Sequence, residues 1–275
     1  MEREFLNALA DAGLVMVKPL LVADGFLHRY RVEGDKAGSQ NGWYVLHGDD
    51  RPFGAFGSWK TGQSHTWHPA REKPMTDAER RELQARMAAV KASRLAEEEK
   101  VRADARARAA KLWERARPAS NSHPYLVRKQ VGAFGVRDLR GQLVVPLRDA
   151  EGTLHSLQFI GPDGRKTFLT GGRKRACYHA IGRPVRVLCL AEGYATGATV
   201  YQATGHATAV AFDAGNLLPV AQALRAKFPD LELVVCADND HATPGNPGLT
   251  AAAQAAQAVH AVLAYPRFGE GGCHV

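Results

Sequence analysis

Cysteine is scarce in this chain of 275 residues: Cys177, Cys189, Cys236 and Cys273 lie far apart, no CxxC pair occurs, and residues 1–176 contain none. That spacing excludes a zinc ribbon and a thioredoxin-like redox motif, so the thiols are expected to be buried or bystanders and no zinc is expected. Long apolar runs are also missing. Nothing approaches the roughly 20 residues that span a bilayer. The start, MEREFLNALADAG, is charged and lacks the apolar stretch and small-residue cleavage site of a signal peptide. A cytoplasmic protein without membrane contact is expected. From Thr76 to Arg117 there is neither glycine nor proline, which leaves nothing to turn the backbone over some forty residues.

A composition of 45% hydrophobic and 23% charged residues supports a real core in one large or two modest domains. The formal charge of +8 is unevenly placed. Residues 118–190 hold 12 Lys and Arg against 4 Asp and Glu, whereas residues 191–275 hold 3 against 7. A basic stretch that leads into an acidic one suits a chain in which one part grips a polyanion and the next holds cations.

Four segments follow. Residues 1–70 open with a short amphipathic helix (Phe5, Leu6, Leu9, Ala10) and then read as a small β-rich module, with turn signals at Asp24-Gly25 and Asn41-Gly42 and strands in GWYVLHG and AFGSW. Six aromatics between residues 43 and 67 (Trp43, Tyr44, Phe53, Phe56, Trp59, Trp67) could stack unpaired bases, but the favoured reading is the core of that module. Residues 71–117 read as a charged helical linker. Thr76 and Glu79 fit a capping box, Pro118 closes the segment, and the length is about 60 Å if the helix is unbroken. The apolar positions are too few for a coiled-coil seam, so a solvated connecting helix is expected, either unbroken or broken in the middle.

Residues 118–183 form a basic α+β subdomain. LVVPLRD and LHSLQFI read as a hairpin turning at Asp149–Gly152, and Arg165, Lys166, Arg173, Lys174 and Arg175 cluster behind a Gly171-Gly172 pair. Glycines beside cations let backbone and charge approach phosphate together, although a solvated loop would carry the same charges. Residues 184–268 alternate strands (Val185–Ala191, Ala207–Phe212, Leu231–Ala237) with helices (Ala195–Ala203, Leu217–Phe228, Leu249–Leu263). Continuous apolar strands separated by helices predict an α/β fold whose parallel sheet is flanked by helices on both faces.

Ligands of such sheets sit at the carboxyl ends of the strands. Glu192 ends the first strand, Asp213 the second, and Asp238 and Asp240 the third. A carboxylate closing a buried strand is costly without a charge of opposite sign. Two like charges about 4 Å apart repel by about 4 kcal/mol at an effective dielectric near 20, so a cation is expected among them. Mg²⁺, with Mn²⁺ as a substitute, prefers such oxygen donors. The plainer reading of each aspartate is a cap on the next helix or turn; for Asp213 the two readings stand level.

Taken together, LCLAEGYATGATV, VVCADND and GNPGLTAAAQAA resemble the Toprim domain shared by bacterial-type DNA primases, topoisomerases and some nucleases. The preceding LVVPLRDAEGTLHSLQFIGPDGRKTFLTGGRKRACYHAIG is similar to the basic segment ahead of Toprim in primases, above all the primase-like replication proteins of phages, plasmids and integrative elements. The resemblance covers about residues 118–268. It implies a Toprim-like sheet and a Mg²⁺-dependent nucleotidyltransferase that makes short primers on single-stranded DNA from nucleoside triphosphates. Glu192, Asp238 and Asp240 would be catalytic and metal-holding, with Asp213 as a further ligand or as a carboxylate supporting the ligands from behind. Lys166, Arg165, Arg173, Lys174 and Arg175 would hold nucleotide or nucleic acid. With the chain ending at GEGGCHV, a replicative helicase would be a separate partner. A Toprim-type nuclease and a non-catalytic nucleic-acid-binding protein are the alternatives. Two departures from the pattern are the missing zinc ribbon and Thr196, which stands four positions after Glu192 where many primases carry a further acid.

Overall fold

The computed structural model describes residues 1–48, 52–69, 76–238, 243 and 246–266, with backbone alone at Glu79 and Leu83. Asp240, Cys273 and the Glu79 half of the expected capping box therefore lie outside the described residues. The chain divides into two compact units, Met1–Glu99 and Lys100–Val275.

The first unit opens with α1 (Glu2–Asp11), whose first turn carries Glu2 and Glu4 against the positive end of the helix dipole. Phe5 and Leu9, four residues apart, are its buried face. An antiparallel sheet follows in the order β1 (His28–Tyr30), β2 (Gly42–His47), β3 (Phe53–Ser58) and β4 (Ser64–Trp67). Trp43, Tyr44, Phe53 and Phe56 are each no more than 3% exposed, and Phe5 meets Tyr44, Phe56 and Trp67 edge-on at 5.4–6.0 Å. With Trp59 and Trp67 packed against the same clusters, the six aromatics are core.

Helix α2 (Asp77–Arg115) is continuous, the unbroken of the two forms left open by the sequence, and contains no Pro or Gly to kink it. Its first half buries Val90 in the first unit and sets Arg94 over the Trp43 ring at 5.2 Å. Its second half buries Ala109 against Val144 and Leu157 in the second unit.

In that second unit an antiparallel sheet runs in the order β5 (Arg117–Pro118), β6 (Arg137–Leu139), β7 (Gln142–Arg148), β8 (Leu154–Ile160), β9 (Lys166–Phe168), with α3 (Pro124–Lys129) between β5 and β6. β7 and β8 form the expected hairpin, closed by Gly152 N donating to Asp149 O at 3.0 Å. The period of two then divides β7 between two cores. Val144 faces α2, while Leu143, Val145 and Leu147 pack with Tyr125 and Leu126 of α3.

The other sheet has the order β10 (His179–Ile181), β12 (Ala207–Val210), β11 (Val187–Ala191), β13 (Glu232–Cys236), β14 (Val262–Ala264). β11 is parallel to both of its neighbours, and β14 is parallel to β13. α4 (Tyr194–Thr204) lies on one face with Tyr194 and Ala198. α5 (Leu217–Lys227) and α6 (Pro247–Ala258) cover Leu188, Leu190, Leu233 and Val235 on the other. Two details differ from the sequence reading. β10 crosses from the basic segment to join this sheet antiparallel to β12, and the last helix ends at Ala258 rather than near Leu263, leaving room for β14. No described helix is long and apolar enough to cross a membrane.

Candidate active site

β11 is the central strand, and its end is where the chemistry-bearing residues gather. Ala191 lies opposite Val210 on one side and Cys236 on the other, so the next residue, Glu192, emerges at the rim beside Asp238. The Glu192 carbonyl still accepts from Phe212 N at 2.7 Å, which fixes the strand end before Gly193 leads into α4. α6 approaches the same rim. A Cβ built on Gly248 would lie 3.4 Å from the Asp238 carbonyl oxygen and 3.6 Å from Glu192 Oε2. The missing side chain thus keeps a small space clear, bounded by oxygens of both residues. Asp238 Oδ1 accepts from Thr196 Oγ1 at 3.1 Å. The residue that replaces an expected acid therefore orients Asp238 from the first turn of α4.

The cations come from β9 and the loop after it. Lys166 Nζ lies 3.7 Å from where a Gly193 Cβ would be, which puts this ammonium over the β11–α4 turn. Lys174 forms an ion pair with Asp213 and lies over the Phe168 ring, 5.4 Å from its centroid. Asp213 also accepts from Asn216 N at 3.0 Å, so it caps the 3-10 turn Ala214–Asn216, as the plainer reading had it, and holds Lys174 besides. Arg165 and Arg175 are exposed.

Arg173 is braced from below. Its guanidinium donates to Asp149 Oδ2 at 3.2 Å and to Cys177 Sγ at 3.4 Å, while His155 Nε2 meets the same Asp149 oxygen at 2.6 Å. Burial would push the Asp149 carboxyl up, but hydrogen bonds from His155 and Thr153 N and the charge of Arg173 outweigh it and hold the carboxyl below the usual carboxylate range. The Cys177 thiol is pushed up, first by burial. The preceding glycine permits the close approach: a Cβ on Gly172 would fall 2.1 Å from Ser156 Oγ.

One organising residue escaped the sequence reading. Asn216, 2% exposed, donates from Nδ2 to Cys177 O (3.0 Å) and Ala211 O (2.8 Å), and its Oδ1 accepts from Ala176 N (2.9 Å). It ties the Lys174 loop to the end of β12. Its only trace in the sequence is its place in AFDAGN, at the turn that follows a strand end. Of the residues expected at the site, the fold gathers Glu192, Asp238 and Lys166 at one rim and pairs Lys174 with Asp213, and Arg173 is held by Asp149. Among the described residues no cluster of three or more His, Cys, Asp or Glu side chains is placed to hold a metal; Asp240 is not one of them.

Residues 186–265 match the Toprim domain family model. Over 286 aligned residues the sequence is 39% identical to DNA primase TraC of Escherichia coli, covering 98% of this chain and 27% of that protein. A second DNA primase TraC of Escherichia coli is 38% identical over 281 residues, covering 96% of this chain and 19% of that protein. The primase fragment of the bacteriophage T7 primase-helicase protein superposes with a TM-score of 0.41 at 14% identity, over 56% of this chain and 65% of that one. The chain thus spans about a quarter and a fifth of the length of the two curated relatives it matches. Its β11–β14 sheet is a Toprim-like α/β fold, and nearly the whole chain is similar in sequence to part of DNA primase TraC.

Proposed function

We propose that the chain is the catalytic part of a primase-type nucleotidyltransferase, which joins nucleoside triphosphates into short primers on single-stranded DNA. The observation that supports this most is the meeting of Glu192 and Asp238 at the ends of adjacent parallel strands, with Lys166 above the same turn. The sequence similarity to DNA primase TraC supports it from another side.

The donors at the rim are all oxygen: the Glu192 carboxylate and the Asp238 backbone carbonyl bound the space that Gly248 leaves open, and the Asp238 carboxylate follows at the same strand end; such donors suit Mg²⁺ or Mn²⁺. Glu192 and Asp238, joined by Asp240, would hold the ion, which supplies charge neutralisation for the triphosphate and for the oxygen of the attacking 3′-hydroxyl. The chain's own residues do the rest. Thr196 holds one oxygen of Asp238 and so orients the carboxylate. Lys166 binds phosphate over the β11–α4 turn, where the start of a helix of 11 residues adds its positive dipole end. Lys174, steadied by Asp213 and the Phe168 ring, offers a second ammonium to the phosphates or template. Exposed Arg165, ahead of β9, and Arg175, behind it, track the nucleic-acid backbone, while Arg173, locked by Asp149, shapes the loop that presents Arg175. A replicative helicase is the proposed partner, and the cytoplasm the proposed location.

The test is primer synthesis on single-stranded DNA with ribonucleotides and Mg²⁺. Glu192→Gln should abolish synthesis and leave template binding intact. Synthesis by that variant at the parental rate would refute the proposal, as would Mn²⁺-dependent cutting of labelled single strands by the parent with no synthesis at all.

A further inference from the structure

The first unit holds a groove that the proposed chemistry does not use. Residues 15–17 pair with 31–33, Val17 N donating to Arg31 O at 3.1 Å and Glu33 N to Val15 O at 2.9 Å. The chain then leaves the sheet and returns only where Gly25 N donates to Leu46 O at 2.9 Å. Between those points it arches outward, held by the Tyr44 hydroxyl, which accepts from Val22 N at 2.9 Å and donates to Leu20 O at 3.4 Å. Arch and β1 together enclose a groove of about 420 Å³. That is within the range of small-ligand sites.

Its lining is apolar and aromatic below and cationic at the rim. Tyr30 and Tyr44 form the floor, with the His28 ring stacked on Tyr44 at 5.1 Å and 21°. Lys18, Arg29 and Arg31 stand around it, and no carboxylate is among the lining residues. The nearby acids are paired, Asp24 with His28 of the lining and Asp35 with Lys60 and Asn41. Arg29 and Arg31 each fork onto a backbone carbonyl, of Gln40 and Asp35, which fixes the guanidiniums, and the charge of Arg31 also reaches the Asp35 carboxylate. They sit two positions apart, about 7 Å along an extended chain. Within the lining Leu20 is 75% exposed, Val17 45% and Val22 41%, an apolar surface open to a ligand.

The floor hydroxyls are also taken, since Tyr30 donates to Leu14 O at 3.0 Å and Tyr44 is used by the arch. The groove therefore has an exposed apolar lining and positive charge, and neither floor hydroxyl is left to read a base edge. We infer that it is a sequence-tolerant binding site for single-stranded nucleic acid, with the backbone on Lys18, Arg29 and Arg31 and bases against the exposed side chains of Val17, Leu20 and Val22. A positively charged groove that tracks the backbone binds single strands without reading their sequence. The inference rests on the proposed function only for the identity of the strand as template.

The experiment uses the full chain with fluorescent oligo-dT and oligo-dA, without nucleotides, across a salt series. Lys18→Glu should weaken both oligonucleotides by about 3- to 10-fold, and losing one phosphate contact should flatten the salt dependence by about 0.7 in log–log slope. Leu20→Ser should weaken both at every salt concentration and leave the slope unchanged. Oligonucleotides carrying 5-iododeoxyuridine should cross-link to peptides within residues 16–31. Parental affinity and slope in Lys18→Glu, with no cross-link in that segment, would overturn the inference and give the groove to an acidic protein segment instead. Loss of primer synthesis in the parent with these cross-links retained would sink the polymerase reading and leave the groove standing.

Discussion

Asn216 gives the sharpest test of how the site is built. Its side chain satisfies two carbonyls and one amide that are otherwise shut off from water, those of Cys177, Ala211 and Ala176. Each such hydrogen bond is worth on the order of 1 kcal/mol net, and a buried group left without a partner costs on the order of 1–3 kcal/mol. Asn216→Ala removes all three bonds and admits at best one water in exchange, so it should destabilise the second unit by about 3 kcal/mol, more than 100-fold in its unfolding equilibrium. Asn216→Asp keeps the acceptor for Ala176 N but turns a carboxylate toward two carbonyls, and should cost at least as much. Urea denaturation gives the global figure, and hydrogen exchange locates it, with the Ala176 amide and the 173–178 segment exchanging at least tenfold faster. Because this segment carries Lys174, the folded variant should also show a raised KM for nucleotide with a smaller change in kcat. A loss below about 1 kcal/mol, or unchanged exchange in 173–178, would refute the claim that Asn216 ties this loop to β12.

Two further outcomes follow from single groups. Burial holds His179 near pH 4 rather than its usual 6.5, with Arg148 nearby adding to the effect and the bond to Phe134 O opposing it. The unfolded chain then takes up the proton first, so stability is complete above about pH 6.5 and falls by about 3 kcal/mol as the pH drops toward 4. His179→Gln should remove that part of the slope, and the same acid slope in parent and variant would contradict it. At the other site, Thr196→Val deletes the hydroxyl that donates to Asp238 at 3.1 Å. A loss of about 1 kcal/mol in orienting the carboxylate should weaken divalent-ion binding about fivefold while leaving oligonucleotide affinity unchanged; unaltered ion affinity would show that the hydroxyl is incidental.

Much of the second unit was legible because its signals are local. Apolar runs such as LCLA and LVVCA, each followed by a helix, leave few alternatives to parallel strands, and parallel pairing of β11 with β13 brings Glu192 beside Asp238. The β7–β8 hairpin was readable from its turn. What stayed hidden depends on partners far away in sequence. β10 has only three residues and gains its place through β12, some thirty residues later, so no periodicity could announce it. β14 has three residues, none of them buried, and its apolar letters continue those of α6. Lys174 and Asp213, 39 residues apart, looked like a phosphate ligand and a candidate metal ligand when each was read alone, and only the fold shows them paired. The six aromatics of the first unit read correctly as core: alternation in β2 and β3 divides Trp43, Tyr44, Phe53 and Phe56 between two clusters, and Trp59 and Trp67 pack against these partly buried.

The account stands on the ability of Glu192 and Asp238 to share a divalent ion at the rim of the parallel sheet. Titration with Mn²⁺ followed by electron paramagnetic resonance measures this without any need for turnover. One ion should bind the parent and be lost in both Glu192→Gln and Asp238→Asn, with the fold unchanged by circular dichroism. Equal Mn²⁺ binding by the parent and both variants would contradict the account.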